Sequence, residues 1–146
     1  MELLFGAVSK LSDPIRDKIS DEFKEKNKIK PTDIWFPDFS RKDITDMSNI
    51  FKGADLNGID LSHWDTSKVT NMKCVFKEAQ NIPESIGNWN TSSVIDMGLM
   101  FWKAQNIPES VGNWDTSNVK DMNRMFLGTQ NIPESIGNWN TSSVTD

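Results

Sequence analysis

Large apolar side chains recur along the chain with a fixed period of 25 residues, and polar residues fill most positions between them. The recurring tryptophans are Trp64, Trp89, Trp114 and Trp139. The recurring methionines and phenylalanines are Met47, Met72, Met97 and Met122, and Phe51, Phe76, Phe101 and Phe126. A period of this length is typical of a solenoid, in which each unit stacks on the next and none folds alone.

The pattern within each unit predicts one short helix followed by one short strand. Val94, Met97 and Phe101 are three and four residues apart, as on one helix face, and follow an Asn-Thr-Ser tripeptide whose oxygens can cap a first turn. A proline then ends the helix, and the next Ile/Val-Gly-Asn-Trp segment suits one strand of a parallel ladder, about 4.8 Å from its neighbours. We therefore predict an α/β solenoid, a leucine-rich-repeat-like stack of a short helix plus a short parallel strand per unit. The units are expected at about 47–71, 72–96, 97–121 and 122–146.

The N-terminal part of the chain differs from the repeats. Residues 1–38 are predicted to form an N-terminal helical cap, and residues 39–146 the repeat solenoid. Serine, aspartate and proline at residues 12–14 are typical of a helix start, and Ile19 and Phe23 then share one helix face. This cap is expected to cover the first repeat.

The repeat motif is similar to a known one. The pattern Met-x-x-Met-Phe-x-x-Ala … Trp-Asp-Thr-Ser-x-Val-x-x-Met at residues 97–122 resembles the BspA-like leucine-rich-repeat family. Members of that family are 25-residue tandem-repeat bacterial surface proteins, including the mycoplasma lipoprotein type. The resemblance, over about residues 39–146, implies a repeat solenoid used for protein contacts such as adhesion, with no catalytic residues. The sequence departs from the family in lacking a signal peptide or lipobox, and in carrying Asn-Ile-Pro between the predicted helix and strand.

Charge and composition exclude several function classes. The 16 Lys and Arg residues against 21 Asp and Glu give a net charge of −5, whereas a general nucleic-acid binder needs clustered positive charge. We therefore predict no direct nucleic-acid binding. The sequence offers no stretch that could cross a bilayer, and its single cysteine cannot form an internal disulfide. These features predict a cytoplasmic protein with no membrane contact, or a surface protein if a signal peptide was removed.

The chemistry-bearing side chains do not form a recognisable catalytic set. His63 lies near Asp65 as a general base would, but asparagine occupies its position in the later units. One histidine and one cysteine make a metal site improbable. Cys74 aligns with variable residues, which predicts an exposed, incidental thiol. We predict a protein that is not an enzyme, with no catalytic residues, no cofactor and no metal.

A candidate partner-binding site comes from comparing the units with one another. Positions that vary between units are expected to face outwards, and of four equivalent outward sets only the third is wholly apolar. Ile95, Leu99 and Trp102 have the spacing of a helical stripe, and Leu127 is expected beside them. Isolated apolar patches with a tryptophan are typical of interfaces. The alternative is that the N-terminal helix folds back over this stripe.

The leading functional hypothesis is a non-enzymatic protein-binding repeat module. One alternative is a phage- or mobile-element-encoded acidic inhibitor of a basic, nucleic-acid-binding host enzyme. A second alternative is a fragment of a larger bacterial surface adhesin. The last predicted strand, with Trp139, would leave an open edge, which predicts a homodimer through this C-terminal end.

Overall fold

Stacked turns, and not helices and strands, make up most of the part of the chain that the structure describes. The computed structural model describes residues 18–26, 45–62 and 64–146. Within these residues there is one α-helix, Asp21–Lys26, and there are three 3₁₀ helices, Glu84–Asn88, Glu109–Asn113 and Glu134–Asn138. Parallel pairing in the same residues is limited to single bridges, which join Asp46 with Asn71, Asn71 with Asp96, Asp96 with Asp121 and Asp55 with Gln80.

The prediction of an α/β solenoid with a helix and a strand in each unit is therefore wrong. The apolar segment after each Asx-Thr-Ser tripeptide forms consecutive turns, as at residues 98–103, and the Ile/Val-Gly-Asn segment forms the end of a 3₁₀ helix. No strand longer than one bridged residue occurs within the described ranges. The three- and four-residue spacing of apolar side chains is met by this series of turns as well as by a helix.

The backbone hydrogen bonds explain why no helix forms. In the third unit, the N–H groups of Met100 and Trp102 close turns on the carbonyls of Met97 and Leu99, at 3.2 Å each. The intervening N–H groups leave the unit: that of Leu99 donates to Asn123 at 2.8 Å and that of Phe101 to Met125 at 3.0 Å, in the next unit. Every second amide is thus committed to a neighbouring unit and is lost to an i→i−4 helical ladder.

Left-handed backbone at equivalent positions keeps this pattern in register. Asn49, Cys74, Leu99 and Arg124 all have φ between 53° and 66°. Such a conformation is unfavourable for most side chains, by about 1–2 kcal/mol. Its recurrence in four units indicates that the bonds between units over-determine the turn.

The core consists of aromatic columns that run along the stack. Equivalent tryptophans form the column that the period predicts: the rings of Trp89 and Trp114 lie 6.5 Å apart and 2° from parallel. A phenylalanine column lies against it, with Phe76 and Phe101 5.7 Å apart. The indole N–H groups of Trp89, Trp114 and Trp139 donate to the preceding unit, as where Trp114 Nε1 donates to the carbonyl of Ile86 at 2.9 Å. The columns therefore join neighbouring units through both ring contacts and hydrogen bonds.

The Asx-Thr-Ser tripeptides form the corners of the units. Asp115 Oδ1 accepts from the N–H of Ser117 at 3.0 Å, which closes an Asx turn, and the same bond recurs in the other units. The hydroxyl of the buried Thr116 donates to the carbonyl of Asn140 at 3.0 Å. The tripeptide thus stabilises a turn and a contact between units, whereas the sequence predicted a helix cap.

The helix Asp21–Lys26 packs on the first unit. The N–H of Ser20 donates to the carbonyl of Ile50 at 2.8 Å, Phe23 is buried, and Glu22 pairs with Lys52 at 3.0 Å. This part of the predicted cap covers the first repeat. The predicted boundary between residues 38 and 39 and the predicted helix start at 12–14 lie outside the described residues. None of the helices that the structure describes is long and apolar enough to span a bilayer.

Candidate protein-binding surface

The four residues predicted to bind a partner all reach the outside of the stack. Ile95 is 43% exposed and Leu127 is 55% exposed, while Leu99 and Trp102 are half-buried. We call these four residues the Trp102 surface. The prediction reached them through helical spacing, which is incorrect here, but the turns also place them at outward positions.

The third unit does not need these side chains to complete its core. Met97, Met100, Phe101 and Ala104 fill the interior of that unit and are fully buried. One period earlier in the sequence, the positions equivalent to Ile95 and Trp102 carry Thr70 and Lys77. The same turns therefore form with polar residues, and the apolar character of the Trp102 surface is not required for stacking.

Two lysines hold the ring of Trp102. Lys77 Nζ, from the preceding unit, lies 4.8 Å from the ring centroid, and Lys103 Nζ lies 4.4 Å from it. Both distances are in the range of cation–π attraction. Gly128 makes room for Lys103, because a Cβ at Gly128 would lie 2.9 Å from Lys103 Cγ. Sequence reasoning missed these lysines, although Lys77 occupies the position of Trp102 in the preceding unit.

The charges on the stack are unevenly distributed. The turn segments 48–53, 73–78, 98–103 and 123–128 carry five basic residues and one acidic residue. These are Lys52, Lys73, Lys77, Lys103 and Arg124 against Glu78. Each 3₁₀ helix instead begins with an exposed glutamate and has no basic residue. Leu99, Trp102 and Leu127 therefore lie in the basic turn segments of a chain whose net charge is −5, whereas Ile95 lies beside Asp96.

Of the two residues considered for chemistry, Cys74 and His63, the structure describes only the first. Cys74 is buried, so the prediction of an exposed thiol is wrong, and burial raises the pKa of that thiol. His63 lies outside the described residues. In the parts of the chain that the structure describes, no group of three or more His, Cys, Asp or Glu residues could hold a metal ion. A shallow cleft of about 370 Å³ lies between the helix and the first unit, lined by residues that include Lys18, Lys52 and Asp55.

The last unit has a different character from the inner ones. Phe126 and Trp139 are only partly buried, whereas Phe101 and Trp114 are almost fully buried. In the third unit, the N–H groups of Leu99, Phe101 and Lys103 donate to carbonyls of the fourth unit. The equivalent N–H groups of the last unit belong to Arg124, Phe126 and Gly128.

Comparison with known proteins gives the chain a family. Residues 17–111 and 105–146 match the family described as "Mycoplasma protein of unknown function, DUF285". No curated protein and no solved structure matches the chain. The family match does not confirm the narrower BspA-like leucine-rich-repeat assignment. Because the two matched ranges together run from residue 17 to residue 146, the chain belongs to the DUF285 family of Mycoplasma proteins.

Proposed function

We propose that the chain is a non-enzymatic protein-binding repeat module, and that the Trp102 surface contacts its partner. One observation carries the proposal: the apolar side chains of Ile95, Trp102 and Leu127 reach solvent, while separate residues fill the core of the third unit. Within the described ranges, three large hydrophobic residues are exposed, and Ile95 and Leu127 are two of them. Trp102 occupies the position that Lys77 occupies one unit earlier.

The physical argument concerns the cost of leaving these groups in water. The outer positions of the stack are otherwise mostly polar. When a partner covers the exposed apolar atoms, binding is stabilised by about 25 cal/mol for each Å² of apolar surface removed from water. Tryptophan is enriched among the residues that dominate binding energies, and it loses little conformational entropy when its ring is already held. Lys77 and Lys103 restrict the Trp102 ring in this way.

The position of the helix Asp21–Lys26 favours an external partner over the fold-back alternative. This helix contacts Asn49, Ile50 and Lys52 in the first unit. The helix is therefore bound to the first unit, at the opposite end of the stack from Leu127, and does not cover the Trp102 surface. The resemblance to BspA-like repeats supports the same kind of role, in which repeated units present a surface for protein contacts such as adhesion. The proposal applies equally to a cytoplasmic protein and to one displayed at the cell surface.

The test is a comparison of two variants as bait in a mycoplasma lysate, followed by binding measurements with each purified candidate. The first variant combines Trp102→Ala with Leu127→Ser. The control is Ile132→Ser, which removes an exposed apolar side chain of similar accessibility, 44%, outside the Trp102 surface. A true partner is retained by wild type and by the control. Its affinity for the double variant should fall at least 30-fold, which corresponds to the roughly 2 kcal/mol of a hot spot.

Two results would count against the proposal. A partner that binds the double variant as tightly as wild type places the interface elsewhere. A double variant that loses several degrees of melting temperature, while Ile132→Ser loses none, assigns Trp102 and Leu127 to intramolecular packing.

A further inference from the structure

We infer that the segment bound by the Trp102 surface is an acidic peptide segment of the partner, in which carboxylates flank an apolar residue. This inference rests on the proposed function and names the partner chemistry that the surface selects. It follows from the lysines around Trp102, from an ion pair elsewhere in the same column, and from the charge of the whole chain.

The lysines on Trp102 remain able to bind carboxylates. A lysine ammonium has three N–H donors, and attraction to the face of an indole ring uses none of them in a conventional hydrogen bond. Among the residues that the structure describes, ion pairs join Lys26 with Asp46 and Lys52 with Glu22, and neither pair involves Lys77 or Lys103. An incoming carboxylate could therefore meet either ammonium while an apolar neighbour covers Leu127.

The first unit provides an internal example of such a contact. Lys52 occupies the position equivalent to Lys77 and Trp102, and its Nζ lies 3.0 Å from Glu22 Oε1. Glu22 is adjacent to Phe23, whose ring is buried against the stack. The chain thus already docks one segment in which an acidic residue beside an aromatic residue meets a lysine of this column. The hydrogen bond to Glu22 also raises the pKa of Lys52.

Charge complementarity selects an acidic peptide over other occupants. The four turn segments along the stack carry five basic residues against one acidic residue, and Lys77 and Lys103 lie at Trp102 itself, so a basic partner would be repelled there. An anionic membrane is extended and would be repelled by the net charge of −5 on the whole chain and by the exposed Glu78 beside Lys77. A short peptide can contact the basic turns and avoid the glutamates of the 3₁₀ helices.

The experiment is a selection from a random 12-residue peptide library displayed on phage, carried out in parallel on the full chain and on three variants. The charge variant is Lys77→Gln with Lys103→Gln. Its matched control is Lys24→Gln with Lys68→Gln, which removes two positive charges outside the turn segments. The third variant is Trp102→Ala with Leu127→Ser. Vesicles of phosphatidylserine and phosphatidylcholine are tested in the same buffer.

The expected result is enrichment of peptides with a net negative charge and at least one large apolar residue. The affinity of a selected peptide should fall about tenfold for the charge variant, stay within twofold for the matched control, and weaken as salt rises. Enriched peptides that are neutral or basic, or equal binding to the charge variant, would overturn the inference. So would vesicle binding without acidic enrichment, which would reassign the surface to a membrane.

The two proposals fail in different ways. If selected peptides lose affinity for Trp102→Ala with Leu127→Ser but not for the charge variant, protein binding stands and the acidic partner is wrong. If selected peptides bind all three variants equally, the Trp102 surface is not the binding site and both proposals fall.

Discussion

Replacing Phe101 by leucine tests whether the phenylalanine column holds the units together. Phe101 is fully buried, and its ring lies 5.7 Å from those of Phe76 and Phe126 and 6.0 Å from that of Trp114. Each aromatic pair contributes about 0.5–1.5 kcal/mol beyond area burial. Leucine keeps most of the apolar volume but removes all three pairs, so we expect the free energy of unfolding to fall by about 3 kcal/mol.

The matched control for this change is Phe126→Leu in the last unit. Phe126 is only partly buried, and its ring pairs are with Phe101 at 5.7 Å and Trp139 at 6.0 Å. With two pairs and some solvent contact, we expect a loss of about 1.5 kcal/mol. Urea unfolding followed by circular dichroism measures both variants. At an m-value of about 2 kcal/mol/M, the midpoints should fall by roughly 1.5 M and 0.7 M.

The order of the two variants decides the test. Phe126→Leu costing as much as Phe101→Leu, or a loss below about 1 kcal/mol for Phe101→Leu, would refute the idea that stacked rings couple the units. A changed m-value would indicate that the units unfold separately, as repeat arrays can. In that case amide exchange of the third and fourth units replaces the urea midpoint as the measure.

The remaining predictions concern acid, the thiol and self-association. Hydrogen bonds from the side chain and backbone of Ser117 lower the pKa of Asp115, so its stabilising effect is present above the unfolded pKa and is lost as pH falls through the folded pKa. Asp115→Asn should therefore lose less stability than wild type between about pH 5 and pH 2.5, measured by urea midpoints, and an equal loss would contradict this. Because burial raises the pKa of Cys74, iodoacetamide should label it more slowly at neutral pH than in urea, and labelling at the rate of an unfolded thiol would show that it is accessible. We also predict a homodimer through the last unit that Trp139→Lys disrupts; sedimentation as a 16.6 kDa monomer at micromolar concentration would eliminate it.

The sequence predicted which positions are buried better than it predicted the backbone that buries them. A fixed period places Trp89, Trp114 and Phe101 in columns whatever the local conformation is, because equivalent residues of stacked units must lie beside one another. The period does not specify which hydrogen bonds form. Three- and four-residue spacing fits an α-helix and also fits turns that close every third residue. The backbone conformation that distinguishes these turns from a helix is the left-handed φ at Leu99 and Lys103. Leucine and lysine are not residue types that indicate a left-handed φ in a sequence.

The sequence predicted which residues of the candidate site face outwards. It did not predict the positive charges that surround Trp102. Comparing units located Ile95, Leu99, Trp102 and Leu127, because a position that varies while the turn stays the same is free of packing constraints. The cation–π contacts of Lys77 and Lys103 depend on rotamers that the sequence does not fix. The exposure predicted for Cys74 was wrong, since a small side chain at a variable position can still be covered by its neighbours.

The central claim, that the Trp102 surface binds protein, is tested most directly by fluorine NMR of the chain labelled with 5-fluorotryptophan. The resonance of Trp102 is assigned with Trp102→Phe, which leaves the five other tryptophans labelled. On addition of a partner or a selected peptide, the Trp102 resonance should shift, while those of the buried Trp89 and Trp114 should stay in place. A bound complex in which the Trp102 resonance does not move would contradict the claim.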